Sequence, residues 1–173
     1  LALCSAVHVP SLSQTSRQRC FELLRACGRI EPLRAEFARG AAQATELCTT
    51  LSRCMEGEKD PRCLLLCLDA AAAVLSLPVA EDAAAELFDI CSCYFPVSFT
   101  PPPSDPYAST RAKLAAALAG VFAASPALAT LVLQLALEKM ESAVLATKAE
   151  AATTAAACLA KYLENVPPPT PQP

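Results

Sequence analysis

At 173 residues the chain is long enough for one domain with a substantial core or for a short array of repeats. Hydrophobic residues make up 54% and aromatics only 5%, so small apolar side chains, mostly Ala and Leu, must do the packing, and these favour helix. With 14 Lys+Arg against 17 Asp+Glu the net charge is −3, which excludes the basic footprint of a nucleic-acid-binding segment.

A first helix is expected from Leu12 to Cys27, carrying Cys20, Leu23, Leu24 and Cys27 at helical spacing, with Gly28 placed as its C-terminal cap. Pro32 suits the first turn of a second helix bearing Leu33, Phe37, Ala44, Leu47, Leu51 and Met55. Gly40 is a weak point in its middle, costing about 1 kcal/mol against Ala. Gly57 closes this pair. The charged turn Glu56–Arg62, EGEKDPR, leads into a third helix in which Asp60 is the N-cap and Pro61 the first residue. Leu64, Leu68, Ala71 and Leu75 form its buried face, and Pro78 stops it.

A fourth helix is expected over residues 80–94, with Glu81 and Asp82 at the positive end of its dipole and Leu87, Phe88, Cys91, Tyr94 and Phe95 inward. Prolines 96, 101, 102, 103 and 106 then forbid helix, because each lacks an N–H and restricts its predecessor. The aromatics of that loop cannot float in water, so Tyr94, Phe95 and Phe99 are expected to pin it to the helices. A fifth helix is read over 107–124 with Leu114, Leu118, Val121 and Phe122 inward. Ser125-Pro126 is the break before a sixth, marked by Leu128, Leu131, Val132 and Leu135. A seventh runs over 142–163. No stretch alternates with period two, and no strand is expected.

Helix one pairs with two, three with four and five with six. Pair starts near residues 12, 61 and 107 lie roughly 46–49 residues apart, close to the period of two-helix repeats. The fold class is all-α, a HEAT/armadillo-like α-solenoid of stacked helical hairpins. Residues 1–163 form the repeat domain and 164–173, ending in PPPTPQP, a proline-rich tail with the composition of a linker. The chain reads as a piece of a longer protein.

Ten cysteines would suit a disulfide framework in a small secreted domain, but Leu1–Pro10 lacks the basic leader of a signal peptide. Cys63, Cys67, Cys91 and Cys158 sit at core spacing, so they are read as reduced, buried thiols of a cytosolic or nuclear protein. No apolar run is long enough to span a membrane.

Three features could carry chemistry. Cys63 and Cys67 share a helix face as two metal ligands could, but His8 is the only histidine, so packing is the better reading. Glu56, Glu58, Lys59, Asp60 and Arg62 gather in one turn, which reads as a solvated connection with a capping aspartate. No histidine or carboxylate pair offers a base, and no glycine-rich loop offers a phosphate cradle. No catalytic, cofactor-binding or metal-binding residue is assigned, and no cofactor is expected. The proline loop reads as a wedge between helical pairs that could also present a contact surface. Candidate partner contacts are Glu58, Lys59, Asp60 and Arg62 in the turn and Ser104, Asp105 and Tyr107 in the loop.

The segments HVPSLSQTSRQRCFELL (His8–Leu24), MEGEKDPRCLLL (Met55–Leu66), LFDICSCYFPVSFTPPPSDP (Leu87–Pro106) and LQLALEKMESAVLATKAEA (Leu133–Ala151) together resemble the N-terminal domain of the MMS nucleotide excision repair family, named for methyl-methanesulfonate sensitivity. The likeness covers roughly residues 7–163, and its long irregular turn and loop make it specific. It implies a large HEAT-repeat scaffold of the cytosolic iron–sulfur assembly (CIA) targeting complex, found in cytoplasm and nucleus and not itself catalytic. The implied partners are the other targeting subunits, docked mainly through C-terminal repeats that this chain lacks. Iron–sulfur apoproteins such as DNA repair helicases and polymerases are the implied clients. Two other readings remain beside it: a helical array acting directly in repair through protein or nucleic-acid contacts, and a carrier holding a cluster on its own cysteines.

Overall fold

The computed structural model describes residue 4 and residues 6–98 and 111–164. Their backbone forms eight α-helices and two 3₁₀ turns, with no strand among the described residues. In chain order these are α1 (Gln14–Arg29), α2 (Glu31–Ala38), α3 (Ala41–Met55), α4 (Pro61–Leu75), α5 (Glu81–Ser92), α6 (Arg111–Phe122), α7 (Ala129–Met140) and α8 (Leu145–Glu164). The proline-rich tail over 165–173 lies outside the described residues.

Local chemistry sets most of the ends. Ser13 caps α1 by accepting the Ser16 N–H at 3.2 Å. Asp60 caps α4, its Oδ1 accepting the N–H groups of Arg62 at 3.0 Å and Cys63 at 3.2 Å, with Pro61 in the first turn as expected. Gly57 reverses the chain at φ 72°, a conformation that favours glycine. Ser125 accepts the Ala127 N–H in the Pro126–Leu128 turn that separates α6 from α7.

Two other glycines act differently from expectation. Gly28 is buried inside α1 rather than capping it, and a Cβ there would lie 2.9 Å from the Cβ of Ala73 on α4. It permits a close approach of two helices. Gly40 takes an extended conformation (φ −143°, ψ 122°), so the expected long second helix is split into α2 and α3. The low helix propensity of glycine produces a full break here rather than a soft spot.

The helices stack in two layers. In one, α4 packs between α1 and α6; in the other, α3 packs on α5. The second contact is fastened by the Cys48 thiol donating to the Ala83 carbonyl at 3.4 Å and the Ala80 N–H donating to Thr45 Oγ1 at 3.0 Å. The expected pairing of the fifth helix with the sixth is replaced by a hairpin of α7 with α8. α8 reaches back to α6, where the Tyr162 hydroxyl donates to the Phe122 carbonyl.

Phe21, Leu24, Leu47, Leu68, Leu114 and Phe122 are among the largest fully buried side chains. Phe122 meets Phe88 at 5.2 Å and Phe95 edge-on at 5.6 Å, favourable aromatic geometries. Phe95 and Val97 are buried, so the start of the proline loop is pinned as expected. Phe99 lies outside the described residues. Leu23 and Leu33, read as inward, are instead 48% and 41% exposed: α1 turns Phe21, Leu24 and Gly28 to the core, and α2 has no buried residue.

Candidate docking turn and its groove

The turn between α3 and α4 is built around one carboxylate. Arg17 of α1 donates from Nε to Glu58 Oε2 at 2.7 Å and from Nη2 to Oε1 at 3.2 Å, a two-pronged ion pair. Glu58 Oε1 also accepts the backbone N–H groups of Lys59 at 3.0 Å and Asp60 at 2.9 Å. Arg17 spends another donor on the Leu12 carbonyl at 3.0 Å. The Glu58 side chain is 4% exposed, so it is an interior tie rather than the solvated contact its neighbours suggest. Its hydrogen bond to Glu58 holds the Arg17 guanidinium charge more firmly than in water, against the opposing effect of burial.

From the opposite side, the Tyr94 hydroxyl at the end of α5 donates to the Glu58 carbonyl at 2.9 Å. Burial pushes the Tyr94 phenol up to about 12, so it remains a donor throughout the neutral range. α1, the turn and α5 are thus locked at one residue. Asp60 and Arg62 occupy one another, with Arg62 Nη2 3.0 Å from Asp60 Oδ2. Burial alone would raise the Asp60 carboxyl. The Arg62 bond and the N–H groups of Cys63 and Arg62 outweigh it and hold the acid below its usual range. Of the four residues expected to contact partners here, Lys59 alone extends an exposed side chain with no ion-pair partner among the described residues. Ser104, Asp105 and Tyr107 lie outside the described residues.

Besides a small cleft that Arg17 and Cys54 line, two open clefts border this turn on the side of Tyr94. One, of ≈ 250 Å³, has Pro61, Leu64, Leu68, Pro96, Val97 and Leu114 in its walls. The other, of ≈ 500 Å³, is bounded by Glu56, Gly57, Asp89 and Ile90. Glu58, Lys59, Cys93 and Tyr94 line both, and the smaller is the groove between α4, α6 and residues 96–98. Its far wall is held by a second ion pair. Arg111 of α6 donates to the Val97 carbonyl at 2.6 Å and pairs with Glu150 of α8, which accepts the Val97 N–H at 3.3 Å. Neither tie shows in sequence, since Arg17 and Glu58 are 41 residues apart and Arg111 and Glu150 are 39 apart.

The thiols are packing groups where they are buried. Cys63, Cys67, Cys91 and Cys158 are buried and free, as their spacing suggested, while Cys93 is exposed in the groove. Burial pushes Cys48 and Cys91 up to about 12 and Cys54, Cys63 and Cys158 to about 11. Neutral thiols of this kind are poor nucleophiles. Among the described residues no three His, Cys, Asp or Glu side chains converge as a metal site, and no single helix is long and apolar enough to cross a membrane.

An all-helical stack of this kind is the architecture of a helical-repeat protein. Residues 1–169 match the family model described as Dos2-interacting transcription regulator of RNA-Pol-II, N-terminal MMS19 type, and the chain belongs to that family. It is 37% identical over 171 residues to the mouse protein called MMS19 nucleotide excision repair protein homolog, covering 93% of this chain and 15% of that one. The human protein of the same description is 36% identical over the same span. A DNA repair/transcription protein of the yeast Saccharomyces cerevisiae that carries the MMS19 name is 35% identical over 107 residues, 61% of this chain and 10% of its own length. The chain spans about 15% of the length of the mammalian relatives it matches. The family is one of DNA repair and transcription proteins.

Proposed function

We propose that this chain is the non-catalytic, protein-binding N-terminal part of an adapter in the cytosolic iron–sulfur assembly targeting complex. In this reading it acts in cytoplasm and nucleus and helps deliver clusters to apoproteins of DNA repair, replication and transcription. Other targeting subunits would dock mainly on repeats beyond this segment. The resemblance of the irregular turn and loop motifs supports the reading, and one structural observation carries it. Glu58, Asp60 and Arg62 of EGEKDPR fix a turn, through Arg17–Glu58, Tyr94–Glu58 and Asp60–Arg62, beside an open groove.

The test is a tagged pull-down of residues 1–173 beside the full-length protein, read by mass spectrometry. The adapter reading expects iron–sulfur apoproteins with both and targeting subunits with the full-length protein alone. Recovery of neither class by the full-length protein overturns it. A second reading, direct action in nucleotide excision repair or transcription, draws on the names of the relatives. Its nucleic-acid form predicts DNA binding that weakens steeply with salt, which a net charge of −3 opposes.

A further inference from the structure

Three thiols from three segments come together where the N-terminal segment crosses the fold. Cys20 lies on α1 and Cys54 on α3, and the Val9–Ser11 turn that follows Cys4 packs on both helices. Cys4 and Cys54 are buried, while Cys20 is half-buried. The Cys4 and Cys20 thiols lie within reach of a weak hydrogen bond, and both are close enough to Cys54 to disfavour its ionisation. A cleft of ≈ 210 Å³ runs between the segment and α3, with Cys4, Val9 and Pro10 on one side and Arg53 and Cys54 on the other. It gives a small solute a path to the buried sulfurs.

We propose that Cys4 and Cys20 are a reversible dithiol–disulfide pair that fastens the N-terminal segment to α1 under oxidising conditions. The oxidant is a small-molecule disulfide of the glutathione kind. The Cys20 thiolate attacks one sulfur of that reagent, breaking its S–S bond and releasing one small thiolate. The Cys4 thiolate then attacks the Cys20 sulfur of the mixed disulfide and expels the second small thiolate. Two electrons pass from the protein to the reagent, and the two protons of the protein thiols end on the two released thiols. Excess small thiol runs both steps backward.

Burial and position select this pair. Cys20 is the most accessible of the three sulfurs, so it takes the first step. Burial pushes Cys54 up to about 11, so it stays protonated and does not compete. Burial also raises Cys20, which slows the first attack, but the second is intramolecular and needs no search, because Cys4 already lies alongside. The bond closes a loop that contains the Val9–Ser11 turn and the Ser13 cap of α1. Oxidation thus converts a segment held by the packing of Cys4 and Val9 into one held covalently, and it restricts the unfolded chain.

The 173-residue chain is incubated with oxidised glutathione at mildly alkaline pH, alkylated, digested with trypsin without reduction and read by mass spectrometry. The peptide ending at Arg17 should be joined to the one running from Cys20 to Arg25, in at least about tenfold excess over any other pair. Dithiothreitol should return both thiols, and the oxidised chain should melt above the reduced one. Cys20→Ser should abolish the joined peptide and the gain in melting, while its reduced form melts with the reduced parent. Cys93→Ser, at an exposed thiol outside the cluster, should keep both signals. Cys4 joined to Cys54 overturns the proposal, and so do Cys4 and Cys20 left free or singly capped. Oxidation of the buried Cys67 and Cys91 alongside them overturns it too, since pairing would then follow unfolding rather than proximity. Neither Cys4 nor Cys20 lines the two clefts beside Tyr94, so the outcome leaves the pull-down of iron–sulfur apoproteins standing or failing by itself.

Discussion

The first six helices and the α7–α8 hairpin are built from similar residues but hold together differently. Within α1–α6, Phe21, Leu47, Leu68, Leu87 and Leu114 are almost wholly buried, and the joining ion pair has a carboxylate that is 4% exposed. In the hairpin, α7 buries only Val132 and Ala136, while Leu137, Leu145 and Leu163 are 67%, 79% and 71% exposed. Its ion pair to α6 is looser, with Arg111 49% exposed. A helix in a stacked array is stabilised by neighbours on both sides. α4 has α1 and α6, whereas α7 has α8 alone for most of its length. The hairpin is accordingly the part expected to open first in native-state hydrogen exchange.

The largest way to break the comparison is alkali. In the unfolded chain the thiols ionise near 9, whereas Cys48 and Cys91 in the fold hold their protons to about 12 and Cys54 and Cys63 to about 11. Folded values above unfolded ones mean stability that is intact below pH 9 and lost as pH climbs toward 11–12. Burial raises all four, so each loses part of its stabilisation as pH climbs above 9, Cys48 and Cys91 over the widest window. All four lie in α3, α4 or α5 and only Cys158 lies in the hairpin, so alkali should narrow the gap between the two regions. Denaturant melts from pH 8 to 11 check this, and a flat profile would show that the thiols are less enclosed than their packing indicates.

Next comes Arg17→Ala. It strands the Glu58 carboxylate in the interior with only its two backbone donors, and breaking a buried pair from one side costs about 3–5 kcal/mol. Equilibrium urea unfolding reads the loss. A change below about 1 kcal/mol would mean that the pair is as weak as a surface one. Glycines give a smaller pair of opposite sign. Gly28→Ala forces α1 away from Ala73 and should destabilise by about 1–3 kcal/mol. Gly120→Ala in α6 meets nothing within 4 Å and should stabilise by up to about 1 kcal/mol.

These residues also mark what could be read in the chain beforehand. Asp60 and Pro61 were legible because a cap and a first turn are local events, set within three residues. The inward faces of α4, α5 and α6 were legible because their spacing is regular. The roles of Gly28 and Gly40 do not show in the sequence, since a glycine signals freedom without saying whether the fold uses it for a contact or a break. Glu58 looked solvated because its neighbours are charged, and its partner lies on another helix. The groove draws walls from the turn, α5, residues 96–98 and α6, so only the assembled fold brings them together. Lys59 remains an accessible member of the expected contact set, while Asp60 and Arg62 are engaged with each other.

The smallest expected effect tests the hairpin itself. Leu133, Leu137, Met140 and Val144 follow helical spacing along one side of α7 and its following turn, and all are exposed. Because Leu137 is 67% exposed, Leu137→Gln removes little buried area and should shift the free energy of unfolding by no more than about 0.5 kcal/mol. Phe122, at 1% exposure, sets the contrast, since its truncation removes the ring on which Phe88 and Phe95 both rest. A Leu137→Gln loss above about 1 kcal/mol would place that side chain in a packed environment. Urea titration resolves the two outcomes, and the first leaves α7 as a helix whose outer face contributes nothing to the stability of this chain.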